Sequence, residues 1–230
     1  MAGTLYVVAT PIGNLEDITF RAVRTLNEVD LIASEDTRHT RILLERYTIA
    51  TPMTSYHKFN IRGKTAQLIH ELLLGKNLAL VSDAGTPGIS DPGYELVAAA
   101  VKQGIKVESI PGASAVITAL SVSGLPTERF VFEGFLPKKP GKKRKALEAL
   151  KDEARTVIIY ESPFRLLKTL AEVGAVFGER PLAVCREMTK RFEEIVRGSA
   201  QEVLAKIKDQ KVRGEIVLVI SGQDAQRERS

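Results

Sequence analysis

The strongest chemical signal in the sequence is the segment SDAGTPGISDPG at residues 82–93. It follows an apolar run at residues 77–82, which is typical of a buried parallel strand. A connection between a strand and a helix usually needs only about 2–6 residues, whereas this one is longer and rich in Gly, Pro, Ser and Asp. Glycines let the backbone approach a ligand closely, and prolines stiffen a loop. The segment therefore predicts a ligand-binding loop, with an elaborate turn as the alternative.

Two further segments follow predicted strands. Residues 9–17, ATPIGNLED, combine a strand end, a turn with Pro and Gly, and a helix start, which is where an α/β sheet binds ligands. The segment lacks the G-x-G-x-x-G pattern, so a dinucleotide is not indicated. Residues 111–115, PGASA, open a helix of small residues. This helix suits close packing against a ligand or another helix, and a simple connection between two domains is an equally good interpretation.

Polar side chains at other strand ends are also candidates. Glu35 and Asp36 end the second predicted strand, where they either act at a site or cap the next helix, with capping at least as good an interpretation. The loop at residues 57–60, HKFN, carries a histidine, a lysine and an aromatic side chain. Residues 160–165, YESPFR, end a strand and begin a helix, and they are a candidate wall of a crevice.

A basic segment, KKPGKKRK at residues 138–145, has six basic residues in eight. Pro140 and Gly141 predict a mobile loop here. A solvated loop is the common explanation of a charge run, but we favour contacts with a phosphate backbone, because such runs supply the salt-sensitive part of nucleic-acid binding. The net charge of +5 is compatible with a polyanionic partner, although it is weak evidence by itself.

The elements that position these residues alternate between strands and helices. In the first half, strands are predicted at residues 5–9, 30–34, 77–82 and 106–110, and helices at 17–27 (capped by Asp17), 37–47, 63–74 and 92–103. In the second half, strands are predicted at 129–134, 156–160, 182–187, 192–196 and 215–220, and helices at 142–153, 163–177 and 200–209. The alternation in the first half predicts an α/β fold with a mostly parallel sheet, whereas the second half has only two convincing helices between its strands and a third that is highly charged. We expect domains at 1–111 and 112–224 and a polar tail at 225–230.

The composition of the 230-residue chain restricts its class. The hydrophobic fraction of 44% is enough for a packed core, and no apolar run reaches the roughly 18 residues that span a bilayer, so no membrane partner is expected. The first residues lack the features of a signal peptide. The single cysteine, Cys185, fits a reducing compartment and hence a cytoplasmic location. The three histidines are scattered, so no metal site is expected.

Taken in order along the chain, six segments resemble the tetrapyrrole methylase superfamily, and within it the branch that modifies RNA. They are VATPIGNLEDITFRA, ASEDTR, SDAGTPGISDPG, IPGASA, YESPFR and GEIVLVISG, and the resemblance covers about residues 4–222. The long loop departs from the superfamily's Gly-Asp-Pro pattern. Members of this branch often continue for several dozen further residues, so we expect this chain to be a short form or a truncated one.

The resemblance implies two α/β domains of the tetrapyrrole methylase type, with S-adenosylmethionine in the cleft between them, and a homodimer. The implied reaction is methylation of the 2′-oxygen of a cytidine ribose in small-subunit ribosomal RNA, either naked or in the assembled small subunit. The residues that it implies for cofactor binding are Pro11, Asp83, Ala84, Gly85, Gly88, Ser114, Ala115 and Tyr160.

A ribose 2′-hydroxyl is a poor nucleophile while it is protonated, and a positioned base would accelerate its reaction by about 10²–10⁴-fold. The candidate bases are Glu35, Asp36, His57 and Glu187. The candidate RNA contacts are Lys58, Lys138, Lys139, Lys142, Lys143, Arg144, Lys145, Arg165, Arg186 and Lys190.

Three alternative functions stay open at this point. They are methylation of a tetrapyrrole or another small molecule, methylation of a protein side chain, and RNA binding without catalysis. The lysine-rich segment argues against the first, because a macrocycle has few negative charges for it to meet. The glycine-rich loops argue against the third, because they would then have no clear purpose.

Overall fold

The structure is a computed structural model and describes residues 1–223. The chain forms two compact units, the first comprising Met1–Ser114 and the second beginning at Ala115. The domain limits expected at residues 111 and 112 stay a prediction. The polar tail expected at residues 225–230 lies outside the described residues.

The first unit is built on a five-stranded parallel sheet. Its strands are β1 (Thr4–Val8), β2 (Leu31–Ser34), β3 (Met53–Ser55), β4 (Leu78–Val81) and β5 (Lys106–Ile110). The strand order is β3-β2-β4-β1-β5, and every pairing is parallel. The carboxyl ends of the strands therefore lie at one side of the sheet, which we call the carboxyl edge.

Both faces of this sheet are covered by apolar side chains. Along β4, Leu78 and Leu80 belong to one buried cluster, and Ala79 and Val81 belong to another. Successive side chains of a strand point to opposite faces, so the two clusters lie on the two sides of the sheet. The helices that cover the faces are α1 (Phe20–Glu28), α2 (Thr37–Arg46), α3 (Ile61–Leu73) and α4 (Tyr94–Lys102).

The prediction that Asp17 caps the first helix is wrong. Asp17 ends a separate 3-10 turn (Leu15–Asp17), and the next residue, Ile18, is extended. Thr19 caps α1 instead, because its hydroxyl accepts a hydrogen bond of 3.1 Å from the Ala22 N–H. A threonine oxygen at this position satisfies one of the backbone donors that a helix start leaves without a partner.

Strand β3 was not predicted from the sequence. Its three residues, Met53–Ser55, are too few to show either an alternating or a continuous apolar pattern. The strand forms because it pairs with β2 in a register that runs from Ile32↔Met53 to Ser34↔Ser55. Pairing supplies backbone hydrogen bonds that the local sequence does not specify.

The second unit contains a mixed five-stranded sheet. Its strands are β6 (Phe130–Phe135), β7 (Thr156–Glu161), β8 (Leu182–Arg186), β9 (Glu194–Gly198) and β10 (Ile216–Ile220), in the order β6-β7-β10-β8-β9. Only the β6–β7 pairing is parallel among these strands. The helices of this unit are α5 (Ala115–Ser123), α6 (Pro140–Ala149), α7 (Leu166–Phe177) and α8 (Ala200–Ile207).

The mobile loop expected at residues 138–145 is wrong for most of that segment. α6 begins at Pro140, and its first turn holds both Pro140 and Gly141. Proline is tolerated there because the first backbone N–H groups of a helix have no partner within it. The basic side chains that follow are therefore distributed around a helix.

In the part of the chain that the structure describes, no helix has both the length and the apolar character that a membrane crossing requires.

Candidate active site

The loops that leave β1 and β4 are joined at the carboxyl edge of the first unit. The Thr10 N–H donates to the Gly85 carbonyl at 2.9 Å, and the Gly85 N–H donates to the Thr10 carbonyl at 3.0 Å. The Thr10 hydroxyl donates to the Ser82 carbonyl at 3.1 Å, and the Ser82 hydroxyl donates to the Gly85 carbonyl at 3.2 Å. These bonds hold the two predicted ligand-binding loops against each other.

The loop that leaves β5 reaches the same place. A Cβ at Gly85 would lie 3.4 Å from Ile12 Cγ2 and 3.8 Å from the Ala113 carbonyl oxygen, and Gly85 has a φ of +83°. This backbone conformation strains any residue with a side chain, so glycine is required. A Cβ at Gly112 would lie 3.1 Å from the Ala9 Cβ. Three loops that are distant in sequence therefore meet around Gly85.

Most residues predicted to bind the cofactor lie in these joined loops. They are Pro11, Asp83, Ala84, Gly85, Gly88 and Ser114, all buried or half-buried. The other two belong to the second unit. Ala115 begins α5, and Tyr160 lies in β7, with its ring centroid 4.8 Å from that of Phe132 and 5.5 Å from that of Phe135. The role of all eight in cofactor binding stays a prediction.

Glu35 lies among charged side chains at the carboxyl edge. Partial burial raises its pKa above the ordinary value, and the negative charge of Asp83 raises it further, while Lys58 and His57 act in the opposite direction. A carboxyl with a raised pKa takes up a proton closer to neutral pH, which is what a general base needs. Of the three candidate carboxyls, Glu35 is the one whose pKa is raised.

Asp36 serves the start of helix α2. Its carboxylate accepts a hydrogen bond of 2.9 Å from the Arg38 N–H and lies 2.6 Å from the Arg38 guanidinium. These contacts hold the pKa of Asp36 well below its ordinary range, chiefly through the side-chain hydrogen bond. The capping interpretation of Asp36 is therefore the one that the structure shows, and a carboxyl so stabilised in its charged form is a poor proton acceptor.

The loop after β3 brings His57 and Lys58 towards Glu35. The Tyr56 N–H donates to the Ser34 carbonyl at 2.7 Å, which keeps the ends of β2 and β3 adjacent. The His57 Nδ1 atom is buried and has no hydrogen-bond partner among the described residues, while Lys58 is exposed. The structure thus brings three predicted site residues together, although they come from two different loops.

Glu187, the fourth candidate base, belongs to an ion-pair network in the second unit. Its Oε1 accepts hydrogen bonds from the Glu215 N–H and from the Lys190 ammonium, both at 3.0 Å. Burial raises the pKa of Glu187, but these hydrogen bonds outweigh it and the pKa is lowered. Lys190 also lies 3.0 Å from the Glu215 carboxylate, and Arg186 lies 3.0 Å from that of Glu194. The network gives these side chains a structural role.

Two predicted RNA contacts, Lys143 and Arg165, form ion pairs with carboxylates of the second unit. The Lys143 side chain is only 7% exposed, and its ammonium lies 2.9 Å from the Glu172 carboxylate and 3.2 Å from the Thr169 hydroxyl. The Arg165 guanidinium lies 2.6 Å from the fully buried Glu161 carboxylate. The prediction for Lys143 is corrected, because successive residues of a helix face different directions and one of a basic run must face inward.

The other members of the basic segment are exposed. They are Lys138, Lys139, Lys142, Arg144 and Lys145. Arg144 pairs with Glu148 one turn further along α6, with 2.8 Å between the guanidinium and the carboxylate. Ion pairs at this spacing on a solvated helix are weak, so the segment keeps a positive outer face.

Some contacts of the site were not predicted. Thr10 and Ser82 join the two loops through their hydroxyls, and the available signal was a hydroxyl residue close to the end of each strand. Asp83 accepts a hydrogen bond of 3.0 Å from the Asp36 N–H across 47 positions of sequence. Local patterns carry no signal for a contact at that separation.

Among the described residues, no cluster of three or more His, Cys, Asp and Glu side chains could hold a metal ion.

Comparison with protein families matches residues 4–204 to the Tetrapyrrole (Corrin/Porphyrin) Methylases. A relative from Halalkalibacterium halodurans, named ribosomal RNA small subunit methyltransferase I, is 53% identical over 220 residues, covering 96% of this chain and 76% of the relative. A relative of the same name from Synechocystis sp. is 55% identical over 221 residues, covering 96% of this chain and 79% of the relative.

Solved structures with the same fold are more distant in sequence. A diphthine synthase has a TM-score of 0.72 at 16% identity, covering 95% of this chain and 90% of that one. A uroporphyrin-III C-methyl transferase from Thermus thermophilus, complexed with S-adenyl homocysteine, has a TM-score of 0.66 at 19% identity, covering 98% and 100%. At such low identity these structures show the fold alone, and the predicted fold class is confirmed.

Proposed function

The chain belongs to the tetrapyrrole methylase family, and from this premise we propose that it transfers a methyl group from S-adenosylmethionine to a ribose 2′-oxygen of a cytidine in small-subunit ribosomal RNA. The observation that carries the proposal is the identity of 53% and 55% with two relatives named ribosomal RNA small subunit methyltransferase I. This identity extends over 96% of the chain, and the family match over residues 4–204 includes all the loops of the carboxyl edge.

The joined loops of the first unit fit the cofactor. Gly85, Gly88, Ala84 and Ala113 carry no side chain larger than a methyl group, and the Thr10–Gly85 bridge holds Gly85 against the loop after β1. The carboxylate of Asp83, a predicted cofactor residue in these loops, provides negative charge that suits a sulfonium cation. When bound, S-adenosylmethionine supplies an electrophilic methyl carbon on a good leaving group. Ala115 and Tyr160 stay predicted cofactor contacts from the second unit.

Glu35 is the proposed general base. It takes up the proton that the ribose 2′-hydroxyl gives up as the oxygen forms its bond to the methyl carbon. Its raised pKa supports this assignment, whereas the lowered pKa values of Asp36 and Glu187 oppose the same role for those residues. His57 is the second candidate, because its buried Nδ1 atom has no partner among the described residues.

The proposed RNA contacts divide by how each side chain is held. The exposed group is Lys58, Lys138, Lys139, Lys142, Arg144 and Lys145, and these are assigned to phosphates. Arg165, Arg186 and Lys190 already have carboxylate partners, so they could contact RNA only by exchanging or sharing those ion pairs. Lys143 is left out because it is buried.

The proposal also includes the form of the RNA substrate and the oligomeric state of the enzyme. The substrate is either naked ribosomal RNA or the assembled small subunit, and the active form is a homodimer in the cytoplasm. Sedimentation of the purified protein tests the homodimer, since a molecular mass of one chain would exclude it. Comparison of methylation rates on the two RNA forms identifies the substrate.

The deciding experiment uses S-adenosylmethionine with a labelled methyl group and small ribosomal subunits that lack their own modifications. We expect label at one cytidine 2′-oxygen, and none when the target nucleotide carries a 2′-deoxyribose. If no label appears in RNA although calorimetry demonstrates cofactor binding, the proposal is overturned. Labelling of a porphyrin-like acceptor or of a protein in the same assay would then identify the alternative.

A further inference from the structure

Phe59 is an exposed aromatic side chain that a tight turn holds in place. The side chain is 85% exposed. The His57 N–H donates to Asn60 Oδ1 at 2.9 Å, the Asn60 N–H donates to the His57 carbonyl at 2.9 Å, and Asn60 Nδ2 donates to the Ser55 carbonyl at 3.2 Å. These bonds close the turn around Phe59 and leave its side chain facing solvent.

Two basic residues, His57 and Lys58, flank the Phe59 ring. The Lys58 ammonium lies 5.0 Å from the centroid of the Phe59 ring, and the His57 ring centroid lies 6.0 Å away. The sequence from His57 to His70 contains Lys58, Arg62 and Lys64 and no acidic residue. An exposed aromatic ring beside positive charges is the arrangement that single-stranded nucleic acids require, since bases stack on the ring and phosphates meet the cations.

A second exposed aromatic side chain, Phe192, also lies beside a cation. The Arg191 guanidinium lies 5.6 Å from the centroid of the Phe192 ring, which is 65% exposed. Glu193 and Glu194 follow directly, and the Glu193 carboxylate accepts a hydrogen bond from the Thr189 N–H at 2.6 Å. Two acidic residues thus follow Phe192 in the chain, whereas none lies in residues 57–70, so the Phe59 turn has the more basic sequence of the two.

The Phe59 turn also adjoins the proposed base. Ser34 and Ser55 are paired at the ends of β2 and β3, and Glu35 directly follows Ser34 in the chain. The charges of Lys58 and His57 both act on the Glu35 carboxyl. A base stacked on Phe59 would therefore lie close to the carboxylate that takes the proton.

We propose that Phe59 is a stacking platform for an unpaired base in the RNA strand that carries the acceptor ribose, and that Lys58 contacts a phosphate of the same strand. The inference rests on the proposed function, because it supposes an RNA substrate. It identifies the substrate region as unpaired, since a base within a duplex is already stacked on both sides and its faces are inaccessible.

A tryptophan at position 59 reports on stacking directly. The chain contains no tryptophan, so the indole of Phe59→Trp is its only one. We expect a single-stranded, cytidine-rich oligoribonucleotide to quench the fluorescence of this variant. The control is Leu74→Trp, because Leu74 is 66% exposed at the end of α3, on the side of the sheet away from the carboxyl edge. Its fluorescence should not change.

Methylation assays give an independent measure. Phe59→Ala should lower kcat/KM on unmodified small subunits by roughly 5- to 150-fold, the range expected for one lost base–aromatic stack. Phe59→Tyr should retain most of the activity, Phe59→Leu should behave like the alanine variant, and Leu74→Ala should match the wild type. Cofactor affinity should be the same in all of them.

The two proposals fail in different ways. If the wild type methylates RNA while Phe59→Ala is equally active and the Phe59→Trp fluorescence is unchanged, the platform is excluded and the proposed function stands. If the wild type transfers no methyl group to RNA, the proposed function is excluded. The fluorescence measurement then still decides whether Phe59 stacks on an RNA base.

Discussion

Glu35 and Glu187 occupy similar places in the sequence and very different environments in the molecule. Each glutamate directly follows a mostly buried strand, β2 in the first unit and β8 in the second. The pKa of Glu35 is raised by burial and by the charge of Asp83, whereas the pKa of Glu187 is lowered by hydrogen bonds from the Glu215 N–H and the Lys190 ammonium. A glutamate is thus suited to proton transfer at position 35, whereas at position 187 it accepts hydrogen bonds that join neighbouring segments of the second unit.

The difference follows from the direction of the neighbouring strands. In the parallel sheet, β2 and β4 end at the same edge, so the acids that follow them, Glu35 and Asp83, lie close together. In the second unit, β8 pairs antiparallel with β10, and the register Ile216↔Arg186 places the start of β10 beside Glu187. A strand start presents backbone N–H groups, and these stabilise a carboxylate. Parallel pairing therefore gathers polar side chains into a site.

The largest expected effect is on the rate of methyl transfer, and it tests the contrast between Glu35 and Glu187. Glu35→Gln should lower the single-turnover rate of methyl transfer by about 10²–10⁴-fold, the usual contribution of a positioned base, with cofactor affinity retained. Glu187→Gln should change this rate far less. Comparable losses of rate in the two variants would contradict the assignment of Glu35 as the general base. If both variants are fully active, either His57 is the base, which His57→Ala tests, or catalysis depends on positioning alone.

The next effect concerns the exposed face of α6. The triple variant Lys142→Ala, Arg144→Ala, Lys145→Ala should lower the dependence of log affinity on log salt by about 2 for single-stranded RNA, if each side chain meets one phosphate. At 0.1 M salt this corresponds to an affinity loss of up to about 100-fold. Filter binding across a salt series measures the slope, and an unchanged slope would remove the helix from the RNA interface.

Lys143 provides the matched contrast within the same segment. Lys143→Ala should lower the free energy of unfolding by about 1.5–3 kcal/mol, because its buried ammonium bonds to the Glu172 carboxylate and the Thr169 hydroxyl. The control Lys142→Ala should stay within about 0.5 kcal/mol of the wild type, because Lys142 is exposed. Urea unfolding measures both. Equal stabilities for the two variants would show that the buried pair contributes nothing.

The smallest effect is the pH dependence of stability, and its sign differs between the two glutamates. Because the pKa of Glu35 is raised on folding, its charge destabilises the folded protein at neutral pH, and this effect disappears as the pH falls through the raised pKa. Because the pKa of Glu187 is lowered, its charge stabilises the protein above the ordinary pKa, and this effect is lost as the pH falls through the lowered pKa.

At neutral pH, Glu35→Gln should therefore raise the unfolding midpoint in urea and Glu187→Gln should lower it. The difference for Glu35→Gln should shrink as the pH falls from about 7.5 towards the ordinary glutamate pKa of 4.5, whereas the difference for Glu187→Gln should persist down to that value and shrink only below it. Unfolding midpoints that shift in the same direction for both variants would contradict the opposite pKa shifts of Glu35 and Glu187.

Much of the first unit could be predicted from its sequence. The continuous apolar run of β4 and the alternation of strands with helices indicated a parallel sheet, and a parallel sheet determines that loops after its strands share one edge. The parallel sheet therefore places the long glycine-rich loop and the loop after β1, each predicted from its own sequence as a ligand-binding segment, at the same edge. The short β3 and the Thr19 cap of α1 were missed, because three residues carry no period and a neighbouring acid offered a competing cap.

The sequence by itself determined the fold class, the loops of the carboxyl edge and the resemblance to a methylase family, because each of these depends on residue types in consecutive positions. Only the tertiary structure decided which charged side chains are engaged. Glu187 and Lys143 acquire their partners from Glu215 and Glu172, which are distant in sequence, and Glu35 acquires its raised pKa from burial and from Asp83. A pKa depends on distances and burial in space, and local sequence patterns do not contain them.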